Sequence, residues 1–159
     1  MLFSKRTAKL LAVTDGQLRP LDQIPDEAFA SGILGRGYAI EPTAGTVYSP
    51  IDGTVDSIAE THHAYTIQSA DGLDVLIHVG IDTVELKGEG FLPMVRVGDR
   101  VKAGDVLARV DLDLLRSRGY QTVIPVLITN PEALQDFRLS PVKNVAGGKS
   151  DALEYRIKS

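Results

Sequence analysis

Cysteine is absent from the 159 residues, which excludes a disulfide framework, a thiol nucleophile and a thiolate metal site, and points to a reducing compartment. No apolar run approaches the ~20 residues that a membrane-spanning helix needs. Positive charge is not in excess either. The formal net charge is −4, and a chain without a concentrated basic face has no grip on a phosphate backbone, so nucleic acid is excluded as a partner. An acidic surface suits a basic protein partner instead. Helical signals are few, at 25–30, 111–118 and 131–137; the second opens on acidic residues and closes on Arg116, Arg118 and Gly119, as a short helix should.

With 43% apolar and 24% charged residues, the chain has the balance of a globular protein, and its length fits one domain. Residues 1–12 read as a tail or the start of a first strand, and 13–159 as the domain. The apolar run near the N-terminus is too short for a secretory signal. A frayed lead-in to a strand outranks an amphipathic contact with a membrane surface.

Short β-like runs recur at 45–49, 54–58, 65–69, 73–79, 106–110, 122–129 and 153–157. Turn residues separate them, and Asp15-Gly16, Asp52-Gly53, Asp71-Gly72 and Gly147-Gly148 are suited to the positive φ angles of tight reversals. This spacing predicts an all-β, antiparallel sandwich or barrel decorated by a few short helices. Ser49-Pro50-Ile51-Asp52-Gly53-Thr54-Val55 is echoed by Ser140-Pro141-Val142-Lys143-Asn144-Val145, but no strict period points to a solenoid.

All three histidines, His62, His63 and His78, fall within one predicted hairpin. From Leu73 to Val79 the residues alternate, so that Leu73, Val75, Ile77 and Val79 share the more apolar face while Asp74, Leu76 and His78 share the other. If Asp71-Gly72 form a two-residue turn, Tyr65 lies opposite His78 and His63 lies diagonal to it, with Cα atoms roughly 7–8 Å apart. The two rings would then meet above a patch of Tyr65, Ile67 and Leu76. A three-residue loop of Ala70, Asp71 and Gly72 would instead bring His62 to the face of His78. Both registers remain open at this level, as does the reading of the histidines as unrelated surface residues.

Paired imidazoles without cysteine, a Ser-His-Asp constellation or a carboxylate-rich cluster suit phosphoryl transfer between proteins, because a neutral imidazole nitrogen is a good nucleophile. Zinc hydrolysis ranks below this: neither His-Glu-x-x-His nor a His-x-His pair is present. A biotinyl- or lipoyl-type carrier ranks lower still, since the turn Ala70-Asp71-Gly72 offers no lysine.

Thr61-His62-His63-Ala64-Tyr65, followed by the run from Ile77-His78-Val79-Gly80-Ile81-Asp82-Thr83-Val84 to Phe91, closely resembles the signature of glucose-type enzyme IIA domains of the bacterial sugar phosphotransferase system. The similarity extends from about Leu18 to Ile157 and takes in Pro50-x-Asp52-Gly53, Val97-Gly98-Asp99 and 122–130. It implies an antiparallel β-sandwich of the duplicated hybrid motif type. It also implies a cytoplasmic phosphocarrier, peripheral to the inner face of the membrane only through its partners. By position, His78 matches the phosphorylated histidine, His63 the second active-site histidine, and Thr61 a residue that orients a histidine. Asp26 and Asp82 match acidic residues facing a basic rim on the phosphocarrier protein HPr, and Phe29, Ile33, Leu34, Leu76 and Val84 an apolar docking surface.

The implied partners are HPr and an enzyme IIB/IIC sugar permease, and no cofactor is required. A zinc ion at a partner interface, held by His63 and His78 with a partner's carboxylate, is a lesser expectation. An alternative function is a regulatory module that docks on transporters or metabolic enzymes in a phosphorylation-dependent way. Without the family, Phe29 and Ile33 read as a buried i, i+4 helical stripe, Asp26 as a helix N-terminal acid, Thr61 as a strand-end residue, and Leu76 and Val84 as cover for the core. His62 fills a place where the family pattern needs no histidine.

Overall fold

Alternation of apolar and polar residues makes strands, and in this chain the strands pair antiparallel throughout the described registers. The computed structural model describes residues 7–158, so the part of the N-terminal reading that falls on 1–6 lies outside the described residues. In chain order the strands begin with β1 (Ala8–Leu11) and β2 (Gly16–Pro20). A 3₁₀ turn at Leu21–Gln23 and a single helical turn, α1 (Glu27–Ala30), lead to β3 (Arg36–Pro42), β4 (Thr46–Tyr48), β5 (Gly53–Ile58), β6 (Ala64–Ser69) and β7 (Asp74–His78). A second 3₁₀ turn, Thr83–Leu86, precedes β8 (Phe91–Pro93), β9 (Arg100–Val101) and β10 (Val106–Val110). Then come α2 (Leu112–Ser117), β11 (Ile124–Ile128), β12 (Leu134–Leu139), β13 (Asn144–Val145) and β14 (Asp151–Ile157).

One long sheet runs β13-β2-β3-β11-β7-β6-β5-β9, and two three-stranded sheets run β4-β10-β8 and β1-β14-β12. The main core lies where the inner face of the long sheet, presenting Tyr38, Ile40, Tyr65, Ile67, Val75, Ile77 and Val126, meets the apolar sides of the short sheets, such as Val47, Leu107, Leu153 and Tyr155. The opposite face of the long sheet is covered as well. Ala39, Val123 and Leu127 pack there with Leu21, Ile24, Phe29 and Ile81, and Leu76 packs against them from its half-buried position. Burial on both faces explains why β11, Ile-Pro-Val-Leu-Ile, is apolar at every position.

The architecture is the antiparallel β-sandwich anticipated, but several local expectations change. The segment 131–137 is not a helix: after a 3₁₀ turn at Pro131–Ala133 the chain enters β12, drawn into pairing with β14, where Arg138 meets Glu154 at 3.0 Å. Tertiary pairing outweighs the local helical signal there. Gly72 and Gly148 adopt positive φ as expected, whereas Gly53 opens β5 opposite Ser69 and needs no positive φ. α1 ends at Ala30, so Phe29 and Ile33 form no helical stripe; Phe29 is buried and Ile33 is 84% exposed.

The fully buried Tyr38 hydroxyl donates to the Leu11 carbonyl at 2.6 Å, tying β3 to the end of β1 across the core. Tyr38→Phe should lower the unfolding free energy by about 1–2 kcal/mol with an unchanged denaturant slope. Urea melts check this, and an unchanged midpoint would contradict it.

Candidate functional site

β7 ends at His78 because the chain turns sharply at Gly80, which has φ +80°. A Cβ at Gly80 would stand 2.5 Å from Thr83 Cγ2 and 3.0 Å from the Gln121 carbonyl, so both conformation and space require glycine. The turn swings the Gly80 carbonyl back to within 2.7 Å of His78 Nδ1. A carbonyl only accepts, so Nδ1 carries the proton and the lone pair lies on Nε2.

The second histidine arrives by a route that strand counting does not predict. Ala64 pairs with His78 and Tyr65 with Ile77, and Ser69 faces Leu73 around the three-residue loop Ala70-Asp71-Gly72. Tyr65 is therefore not opposite His78. It and Ile67 are buried in the main core instead of lying beneath the histidines. In this register, unbroken alternation would bring His62 to His78. His62 instead adopts φ +63°, its N–H donating to the Ala59 carbonyl at 2.7 Å, and this reversal ends the alternation at Ala64. His63 is the residue delivered: its ring centroid lies 5.0 Å from that of His78, edge to face, and its carbonyl accepts the Val79 N–H at 2.7 Å.

Thr61 lies in the turn between β5 and β6, and its Oγ1 stands 2.7 Å from His63 Nδ1. The Phe29 ring also stands with its centroid 5.0 Å from that of His78, anchored in the second apolar cluster. Asp26 caps α1, its Oδ1 accepting from the Ala28 and Phe29 N–H groups, so the helix N-terminal reading holds; its charge is also felt at His78, as is that of Asp82. Leu76 precedes His78 on the same face of β7. Val84 is 50% exposed on the 3₁₀ turn that follows Asp82, and Leu34 is exposed beside Ile33 in the connection from α1 to β3. Gly80 had no role in the sequence reading. Its signal was a glycine two residues after the strand's last histidine.

Burial disfavours the imidazolium and lowers the pKa of His78; the bond to Gly80 and the charges of Asp26 and Asp82 oppose this without reversing it. Burial also lowers the pKa of His63, which is 8% exposed, and repulsion from His78 adds to it. Both rings are thus neutral near pH 7. Among the described residues, no group of three or more histidine, aspartate or glutamate side chains gathers to hold a metal ion. No helix of the described residues is long and apolar enough to cross a membrane.

Because both pKa values fall below the ordinary 6.5, the unfolded chain binds more protons than the folded one between the folded values and 6.5. Stability should therefore fall as the pH drops through 6.5 toward the folded values, and be fully present above it. Proton NMR titration of the ring resonances should give midpoints below 6.5 for both residues. Midpoints at or above 6.5 would contradict the burial argument.

Residues 8–134 match the family model described as phosphoenolpyruvate-dependent sugar phosphotransferase system, EIIA 1. A beta-glucoside-specific EIIBCA component of this system from Dickeya chrysanthemi is 48% identical over 92% of the chain, which spans only 22% of that relative's length. A glucose-specific EIIA component from Staphylococcus epidermidis is 35% identical, with 96% of this chain and 92% of the relative covered. The solved structure of glucose permease IIA from Mycoplasma capricolum superposes with a TM-score of 0.86 at 33% identity, over 96% of this chain and 99% of that one. A match over most of the chain, in sequence and in fold, settles its membership: the chain belongs to the EIIA 1 family of the phosphoenolpyruvate-dependent sugar phosphotransferase system.

Proposed function

We propose that His78 is the residue that carries the phosphoryl group, taking it from the histidine of HPr and passing it to the cysteine of an enzyme IIB domain that works with a IIC permease on the cytoplasmic side of a membrane. The observation that carries this reading is the Nδ1–H of His78 bonded to the Gly80 carbonyl, with Nε2 left as a free lone pair beside His63. Nε2 attacks phosphorus as the P–N bond to the donor histidine breaks, and the Nδ1 proton stays in place. In the second transfer a cysteine thiolate of enzyme IIB attacks the same phosphorus, and the P–Nε2 bond breaks to return the neutral ring.

His63 has its own part. When the Thr61 hydroxyl donates to His63 Nδ1, Nε2 of His63 carries a proton that can be donated to a phosphoryl oxygen. Little covalent chemistry is asked of the fold, and alignment and charge placement do most of the work. Apolar groups around the ring, Phe29 and Leu76, limit the access of water that would hydrolyse the phosphohistidine. Relatives in which EIIA is joined to EIIB and EIIC support the onward partner.

The docking surface proposed around the site is Phe29, Ile33, Leu34, Leu76 and Val84, rimmed by Asp26 and Asp82 for a basic partner. High exposure of Ile33 and Val84 supports a role outside the core. The same surface, altered by a new charge at His78, would serve a phosphorylation-dependent regulatory contact. A zinc ion shared between His63, His78 and a partner's carboxylate would also use this face.

Phosphoryl transfer from phosphoenolpyruvate through enzyme I and HPr, followed by intact mass, tests the reading. An acid-labile adduct should form on the wild type, disappear in His78→Ala, and persist in His63→Ala with much slower onward transfer; an adduct retained in His78→Ala would overturn the assignment. Ile33→Asp and Val84→Asp should raise the KM for HPr several-fold while changing stability by less than about 0.5 kcal/mol. Unchanged transfer kinetics in both variants would remove these residues from the docking surface.

A further inference from the structure

We propose that Thr83 is a positioning residue for His78: its hydroxyl holds the peptide preceding Gly80 and thereby aims the Gly80 carbonyl at Nδ1. The inference rests on the reading of His78 as the phosphoryl acceptor. Thr83 is fully buried, and its hydroxyl donates to the Val79 carbonyl at 2.6 Å. The same peptide's N–H, that of Gly80, donates to the Val123 carbonyl at 3.1 Å. On the far side of Gly80 the Ile81 N–H donates to the Gln121 carbonyl at 3.1 Å, and that peptide's carbonyl is the one on His78 Nδ1. Both peptide planes flanking Gly80 are therefore clamped at both ends. Three of the four ties are made by the segment leading into β11 and by His78 itself. The fourth is Thr83.

The methyl of Thr83 adds a steric component, since it fills the space over Gly80 where a Cβ would stand 2.5 Å from it. Asp82, at φ +61°, turns the chain back so that Thr83 reaches this place. A buried carbonyl that loses its donor is costly, and the peptide that bears it rotates to find another partner. Rotation of the Val79–Gly80 peptide spoils the direction of the Gly80 carbonyl. The two neutral tautomers of imidazole are close in energy, so a weakened Nδ1–H bond lets the proton move to Nε2. With the proton there, the ring has no lone pair facing the phosphoryl donor.

The test uses ¹⁵N-histidine-labelled protein in which ring nitrogen shifts report the His78 tautomer without any phosphoryl donor. Thr83→Val, which keeps the shape and removes the hydroxyl, should shift His78 toward the Nε2–H tautomer and slow phosphoryl acceptance from HPr about tenfold. Thr83→Ser, which keeps the hydroxyl, should retain the wild-type tautomer and rate. A folded Thr83→Val with the wild-type tautomer would overturn the proposal, and so would a Thr83→Ser that loses it. Should Thr83→Val not fold, the comparison of Thr83→Ser with Thr83→Ala carries the same test, and identical tautomers in the two would overturn it. A wild-type protein that takes no phosphoryl group on His78 would refute the functional reading, while the tautomer comparison still judges Thr83.

Discussion

A carbonyl oxygen accepts and never donates, so the 2.7 Å contact between Gly80 and His78 Nδ1 decides which ring nitrogen keeps its lone pair. For that contact to exist, β7 must stop at His78, Gly80 must take a left-handed backbone, and the residues leading into β11 must lie alongside to receive the N–H groups of Gly80 and Ile81. β7 and β11 are neighbours in the middle of the eight-stranded sheet. The His78 ring is thus aimed by backbone that is hydrogen-bonded on both sides, in the middle of the long sheet.

A sheet with one wet face would give the histidines no apolar wall. Here the outer face carries a second cluster, and its member Phe29 stands against the His78 ring. α1 is a single turn, too short to persist alone. Burial of Phe29, about 2 kcal/mol, and the Asp26 cap, about 1 kcal/mol, hold it in place. The residues that fix this segment are the same ones that face His78, so order in α1 and the environment of the ring are linked.

The sequence made β7 legible because its alternation is strict and one of its faces is wholly apolar. The pairing of His63 with His78 was legible as a neighbourhood but not as a register. Its actual cause is the left-handed His62, a conformation that glycine adopts routinely and histidine only occasionally, so the residue type alone did not announce it. β3 escaped notice because Gly37 and Pro42 interrupt its period and both faces are buried. β12 escaped because its exposed positions lack a buried stripe, and its strand character comes from β14. Of the candidate site, the side chains that the fold brings together, His63 and His78 with Thr61 and Phe29, could be named in advance. The carbonyl that orients the central one could not, since backbone groups carry no identity in a sequence.

On the reading proposed for His78, the charges around it suit two states of one ring. Were burial alone at work, the ring would be neutral and nucleophilic, but a phosphoryl group on Nε2 with the proton kept on Nδ1 would give the ring positive charge in a place that penalises it. Were the carboxylates dominant, the ring would be an imidazolium with no lone pair to attack. The balance falls between: burial prevails over Asp26, Asp82 and the Gly80 bond, so the free ring is neutral. On the reading proposed for His78, those three groups would stabilise the positive charge of a phosphorylated ring. Asp26 serves this end from a helix cap, where its carboxylate is held by the Ala28 and Phe29 N–H groups and makes no direct ion pair with the ring. A direct pair would fix a proton on Nε2, which the proposed transfer needs to be absent, so on that reading the separation of charge from ring is itself part of what would keep His78 nucleophilic.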